Sequence, residues 1–287
     1  MTTAIENMFK DKVLGHPAGL FVLFFTEMWE RFSYYGMRAL LVMFFTASLL
    51  DGGWGWPREH AYAIFGTYTS LVYLSTLLGG YFADKKIGYR YAVVIGALLM
   101  TLGHGAMAVE TPFFIYLGLT LLVFGSGFFK PNMTSIISEM YKGKDEKKDG
   151  AYTIFYMGVN AGAFLGILLC GYLGEQVGWR WGFGLAGIFM LFGLLQFWFA
   201  QNIFGDIGTK PVKVDSNAVE LSADEPKLNP FTSLQLGLIA IAGILGISWI
   251  FNDPISKISE GAYNLFDFNM FGMEGSNVAI LTALGLF

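Results

Sequence analysis

The sequence predicts an all-helical membrane protein that crosses the bilayer several times. Charged residues make up only 14% of the 287 residues, against roughly 25% in soluble domains. Hydrophobic residues make up 54%, and they occur in continuous runs of the ~20 residues that a helix needs to cross a ~30 Å hydrocarbon core. This hydrophobicity excludes a disordered chain, and the single Cys170 excludes a disulfide scaffold.

Six of the apolar runs predict a six-helix transmembrane bundle over residues 18–203. We place the spans at 18–50, 60–83, 91–109, 113–140, 151–174 and 181–203. A seventh run, 231–251, is also long enough, and an eighth begins near Asn277. A β-barrel would instead show alternation over ~10-residue segments, so the continuous runs favour helices.

The segments outside the bundle are more polar. Residues 1–17 are predicted to be a cytoplasmic N-terminus, and the mixed charges of 204–230 predict a cytoplasmic linker. Residues 231–287 then form an extra transmembrane helix, an outer loop and the start of a second extra helix. No cleavable signal peptide is expected, because the first apolar run is longer than the ~7–15-residue core of such a peptide and carries charges.

The positions of lysine and arginine predict the orientation of these spans. Of 18 such residues, twelve lie in the N-terminus or follow even-numbered spans, and three follow odd-numbered spans. Cytoplasmic loops carry the excess of these residues, so the N-terminus should be cytoplasmic in a multi-pass inner-membrane protein. The net charge is −4, and no basic patch alternates with aromatic residues, so the predicted partner is the lipid bilayer and not nucleic acid.

The remaining three cations and two carboxylates lie inside predicted spans. They are Glu27, Glu30, Arg31 and Arg38 on span one and Lys130 on span four. Each such charge costs at least ~2.5–3.5 kcal/mol on insertion scales, so a function is the default interpretation. The span-one residues follow helical i, i+3/i+4 spacing and share one face, which Tyr34 and Tyr35 extend.

Glu27 and Arg31 could form a purely structural pair, but the five charges together sum to +1. An unpaired buried charge is costly, so a mobile anion, a substrate carboxylate or a proton-dependent carboxylate is needed to balance the site, which favours transport.

Three further motifs carry polar residues near or inside spans. Lys130 precedes Pro131, which removes a backbone donor and kinks its helix. Asn160 lies in span five, where a helix–helix hydrogen bond is its simpler interpretation. The turn between spans two and three contains Asp84, Lys85 and Arg90; we interpret it either as a gate or as an ordinary positive-inside loop.

Enzymatic activity is not expected. His16, His60 and His104 are scattered, Cys170 has no histidine near it in sequence, and neither HExxH nor GxSxG occurs. No metal site and no cofactor is predicted.

Four motifs resemble one known family. Residues 27–36 (EMWERFSYYG) resemble the ExxERFxYYG signature of proton-dependent oligopeptide transporters, a branch of the major facilitator superfamily. Residues 128–132 (FFKPN) and 155–162 (FYMGVNAG) resemble the family's fourth- and fifth-helix motifs, and Gly80–Arg90 is similar to the superfamily's loop motif.

The resemblance implies proton-coupled uptake of di- and tripeptides by a bundle of this superfamily with one or two extra linker helices. Glu27, Glu30, Arg31 and Lys130 would couple protons. Substrate would contact Arg31, Tyr34, Tyr35, Arg38, Tyr73, Lys130 and Asn160, and Asp84, Lys85 and Arg90 would form the gate.

The resemblance also implies a further six-helix half of the same protein, which would supply the other wall of the site. A carrier of another anion, such as nitrate or an organic acid, stays open as the alternative, because the charges alone do not specify a peptide.

Overall fold

The computed structural model describes residues 12–211, 231–270 and 272–286. These residues belong to two compact units, one within Met1–Trp56 and Leu71–Pro211, the other within Pro57–Ser70 and Val212–Phe287. Residues 1–11 of the predicted N-terminus and 212–230 of the predicted linker lie outside the described residues.

The first unit is a bundle of long helices joined by short connections, which confirms the predicted helical membrane fold. The helices are α1 (Ala18–Thr46), α2 (Arg58–Phe82, of which residues 71–82 belong to this unit), α3 (Tyr89–Met107), α4 (Pro112–Met140), α5 (Asp145–Gln176) and α6 (Trp179–Ala200). A short antiparallel pair, β1 (Lys12–Val13) and β2 (His16–Pro17), precedes α1. Short helical turns follow α1 (Leu49–Asp51), α2 (Ala83–Ile87) and α6 (Gln201–Phe204).

Local chemistry explains where these helices begin and end. α4 begins at Pro112, where the missing backbone N–H removes no helical hydrogen bond. α5 begins at Asp145 and not at residue 151. The negative charges of Asp145 and Glu146 in its first turn stabilise the helix by interacting with the positive N-terminal end of its dipole. α1 ends at Thr46 and not at residue 50, since Ala47 adopts an extended backbone.

Small residues allow α5 to pack closely against α1. A β-carbon added at Gly158, Gly162 or Gly166 would collide with the backbone of α1 at Phe24, Met28 and Phe32 respectively. The contacts advance four residues at a time on both helices, so one face of each follows the other over several turns. Such close approach through small residues is how helices associate in a membrane.

The second unit contains residues 57–70, α7 (Ser233–Ile258), the strand pair β3 (Asn269–Met270) and β4 (Met273–Glu274), and α8 (Gly275–Leu286). Thr232 and Gln235 form a reciprocal cap at the start of α7. Asn252 fixes the connection to α8, because its amide donates to Asn264 Oδ1 at 3.0 Å and accepts from the Leu265 N–H at 2.7 Å.

Six of the described helical segments are long and apolar enough to cross a membrane: Arg58–Ile87, Tyr89–Met107, Pro112–Met140, Asp145–Gln176, Trp179–Phe204 and Ser233–Ile258. α1 has the length, with 29 residues, but its charges set it apart from these segments. The chain is therefore a multi-pass membrane protein whose first bundle helix carries four charged residues in its interior.

Candidate functional site

Three side chains of α1 form a buried charged cluster. Arg31 Nε lies 2.7 Å from Glu27 Oε1 and 2.9 Å from Glu30 Oε2, and the side chains of Glu27 and Glu30 are 4% and 0% exposed. The four-residue spacing puts Glu27 and Arg31 one helical turn apart. Glu27 Oε2 and Glu30 Oε1 have no hydrogen-bond partner among the described residues, so one guanidinium does not satisfy both carboxylates.

Lys130 reaches this cluster from α4 across the ring of Tyr34. Its Nζ lies 4.2 Å from the Tyr34 ring centroid and 5.6 Å from that of Tyr73. The Cζ atoms of Arg31 and Arg38 lie 5.7 and 5.3 Å from the Tyr34 centroid. Aromatic faces attract cations within ~6 Å, so Tyr34 brings the cations of α1 and α4 to one place.

The charges around this ring have both signs. Lys130 interacts favourably with Glu30 and Glu27 and is repelled by Arg31 and Arg38. A negative group near the three cations would relieve that repulsion, and a proton on one carboxylate would leave the cations less compensated. The arrangement can therefore bind an anion in a manner that depends on protonation.

Pro131, directly beside Lys130, lies inside the continuous helix α4. Pro131 has no backbone N–H, so the carbonyl of Gly127 loses its usual helical donor. The backbone of Gly79 on α2 packs against that carbonyl, and a side chain at residue 79 would collide with it. Ser75, one turn earlier on α2, donates its hydroxyl to the Val123 carbonyl at 2.7 Å. The segment of α4 around Pro131 is thus supported by α2.

The other predicted substrate residues take different positions. Tyr35 packs edge-to-face against Tyr34, and its ring lies 5.8 Å from Arg38 Cζ. Tyr73 is 66% exposed but shares Lys130 with Tyr34. Asn160 is exposed and lies midway between Gly158 and Gly162, which face α1, so it sits on the opposite side of α5. Its role stays a prediction.

The predicted gate residues separate into two groups. The Asp84 carboxylate interacts with the Tyr89 hydroxyl, and Lys85 is exposed. Arg90 instead donates to the carbonyls of Gln201 at 2.7 Å and Gly205 at 2.6 Å. Sequence reasoning missed these acceptors, because backbone carbonyls 111 and 115 residues away leave no trace in residue identity.

The segment after α6 is held at several points of the same end of the bundle. Gly208 donates its N–H to Glu139 Oε2 at 3.0 Å and accepts from the Arg90 N–H at 3.0 Å. Gly88 has a positive φ of 81°, and a side chain there would overlap the backbone of Thr209. The turn of the loop motif therefore positions residues 205–209.

The β1–β2 turn is anchored at this end too. The His16 ring and the Tyr141 hydroxyl form a hydrogen bond of 2.7 Å. Burial, and secondarily the charge of Lys147, lower the pKa of His16 below its ordinary value. Burial raises the pKa of Tyr141.

Sequence reasoning also missed a polar contact on the far side of α1. Trp29 Nε1 donates to Gln196 Oε1 at 3.0 Å. The available signal was Gln196 itself, a polar residue within the apolar stretch 182–200 of the sixth span.

Comparison with known proteins gives consistent results. Residues 90–222 match the sequence profile of the POT family. The chain is 45% identical over 186 residues to the peptide transporter YePEPT of Yersinia enterocolitica, covering 64% of this chain and 36% of that protein. It is 37% identical over 246 residues to a di-/tripeptide transporter of Lactococcus lactis, covering 84% of this chain and 47% of that protein.

A crystal structure of a mutant of the peptide transporter POT in complex with sulfate superimposes with a TM-score of 0.71. It is 30% identical, and the match covers 99% of this chain and 68% of that chain. The chain thus spans less than half the length of the two curated relatives above.

Proposed function

The chain belongs to the POT family, and we propose that it supplies the first half of a proton-coupled transporter of di- and tripeptides. The observation that carries the proposal is the buried cluster of Glu27, Glu30 and Arg31, with Lys130 across the Tyr34 ring. A second six-helix half of the same protein would complete the site. The excess of lysine and arginine supports a cytoplasmic N-terminus and an inner-membrane location.

In the proposed cycle, a carboxylate of the Glu27–Glu30 pair takes up a proton while the site is open to the outside. Protonation weakens the hold of the carboxylates on Arg31 and Lys130. The two cations, with Arg38, then bind the carboxylate of the peptide. Rocking of the two halves exposes the site to the cytoplasm, where proton and peptide leave.

This charge arrangement explains how a gradient could drive accumulation. One elementary charge crossing 100 mV is worth about 2.3 kcal/mol, which corresponds to roughly 50-fold accumulation of a co-transported substrate. The peptide carboxylate and the glutamate carboxylates compete for the same cations. Binding of one therefore depends on the other.

The test is uptake of a labelled dipeptide by vesicles that contain the complete protein as its gene encodes it. With an inward proton gradient, Lys130→Ala should abolish uptake, because the cation that faces both the carboxylates and Tyr34 is removed. Lys142→Ala, which removes an exposed lysine just after α4, is the matched control. Undiminished gradient-driven uptake by Lys130→Ala would contradict the proposal.

The alternative substrate class is another anion, such as nitrate or an organic acid, which would also bind among Arg31, Arg38 and Lys130. Competition separates the two. Unlabelled dipeptide should displace the labelled dipeptide, whereas nitrate and simple organic acids should not. Strong competition by these anions would favour a carrier of nitrate or organic acids.

A further inference from the structure

One polar side chain of α6 holds the back of α1 at two points. Gln196 accepts the indole hydrogen of Trp29 at 3.0 Å and donates its own amide hydrogen to the Val22 carbonyl at 3.1 Å. Both ends of the amide are therefore used on the same helix. A polar group that leaves water without such partners costs free energy, so the amide favours the one position of α1 that satisfies both bonds.

The bond to Trp29 acts on the side of α1 opposite the charged cluster. Trp29 lies two residues from Glu27 and two from Arg31, and at 3.6 residues per turn this separation is about 200° around the helix. A contact that fixes the direction of the Trp29 side chain also fixes the direction in which Glu27 and Arg31 point. Glu27 and Arg31 point from α1 toward the side on which they interact with Lys130.

The packing around this bond leaves little room for α1 to turn. The Trp29 ring lies 5.1 Å from that of Phe189 and 6.5 Å from that of Phe192, centroid to centroid. A β-carbon at Gly193 would lie 3.2 Å from Trp29 Cβ. These contacts set the distance between α1 and α6. The directional hydrogen bonds of Gln196 also set the rotation of α1 about its own axis.

We propose that Gln196 is a positioning residue for the cluster of Glu27, Glu30 and Arg31. It has no described contact with the cluster and acts through Trp29 and Val22, by setting the rotation of α1 about its own axis. The inference rests on the proposed function, because it concerns how the coupling carboxylates are presented to Lys130. It adds α6 to the elements on which coupling depends.

The test compares two variants with two matched controls. Gln196→Leu removes both bonds at similar volume, and Trp29→Phe removes the indole donor while an aromatic ring remains against α6. Gln176→Leu makes the first change at an exposed position of α5, and Trp198→Phe makes the second at a 47% exposed position of α6. Gradient-driven dipeptide uptake and gradient-free counterflow are measured across external pH in the complete protein.

We expect the ratio of driven uptake to counterflow to fall by between about threefold and tenfold in Gln196→Leu, in line with the range measured for helix–helix hydrogen bonds in membranes. The pH profile of driven uptake should shift. Trp29→Phe should show a smaller change of the same kind, and the double variant should resemble Gln196→Leu. The controls should match the wild type.

An unchanged ratio and pH profile in both variants would overturn the inference. So would an equal fall in driven uptake and counterflow, since a merely structural role lowers both together. If the Gln196→Leu protein does not fold well enough to be produced, the test rests on Trp29→Phe alone. A wild-type protein that takes up no dipeptide overturns the proposed function and this inference with it, whereas unaffected variants of an active wild type overturn the inference only.

Discussion

α1 and α7 are two long helices with opposite relations between charge and burial. α1 carries four charged residues in its interior and buries 15 of its 29 residues, including Glu27 and Glu30. α7 has its two charged residues, Asp253 and Lys257, near its C-terminal end and buries only three of its 26 residues. Apolar composition therefore suits a helix for lipid, whereas intramembrane charge requires the surrounding protein that α1 has.

The largest difference between α1 and α7 is expected when one acidic residue on each helix is neutralised. Glu30→Gln should abolish gradient-driven accumulation, which one coupled charge would raise roughly 50-fold per 100 mV, while counterflow persists because the amide resembles a neutral carboxyl group. Asp253→Asn should leave both activities unchanged, since its pair with Lys257 is partly exposed and such pairs are worth about 0.3–0.5 kcal/mol. Dipeptide uptake in vesicles measures both.

Accumulation of dipeptide by Glu30→Gln would show that this carboxylate does not couple protons. A defect in Asp253→Asn would show that the charge on α7 matters as much as that on α1.

A glycine in each region tests the packing half of the comparison. Gly166→Ala places a methyl group against the Phe32 carbonyl and should destabilise the bundle by about 1–3 kcal/mol, as overpacking does. Gly243→Ala meets open space and should be neutral or stabilise α7 by up to about 1 kcal/mol. The thermal midpoint in detergent reports both changes, and equal midpoints would contradict the close packing of α1 on α5.

Substrate chemistry sharpens the role of α1 further. If Arg38 helps to hold the peptide carboxylate, amidation of the peptide should reduce affinity in the wild type and reduce it less in Arg38→Ala. The inhibition constants of free and amidated dipeptides against labelled uptake give the comparison. Equal losses in the two proteins would remove Arg38 from the site.

The smallest effect is expected at His16, which precedes α1 and lies outside its charged face. Because the folded protein lowers the pKa of His16, the unfolded chain binds more protons as the pH falls below about 6.5. The free energy of unfolding should therefore decrease as the pH falls through that range. Thermal midpoints at pH 7.5 and 5.5 should differ more in the wild type than in His16→Gln, and identical differences would exclude His16 as the cause.

Much of the bundle could be predicted from the sequence because membrane spans depend on local composition. The six predicted spans correspond to α1–α6, and the seventh run corresponds to α7. The start of α5 was missed because its first turn, with Asp145 and Glu146, is polar and helical at once. Hydropathy does not detect a helix that extends beyond the apolar core.

The charged cluster was predictable for the same local reason, since Glu27 and Arg31 are one helical turn apart. What spacing does not give is the meeting of distant elements. The contact of Lys130 with Tyr34 and the bonds of Gln196 depend on how whole helices pack. Asn160 is the converse case. The family resemblance implied a site role and its position in a span favoured a helix–helix hydrogen bond, but its exposed position on α5 does not by itself support either.

Because Pro131 cannot donate a helical hydrogen bond, α4 can bend most easily at this point. A bend of about 10° there would swing a residue ten positions along the helix, roughly 15 Å away, by nearly 3 Å. Lys130, which is next to the bend, would hardly move. An opening or closing of either end of α4 would therefore leave the ammonium group in register with Tyr34 while access to it changed.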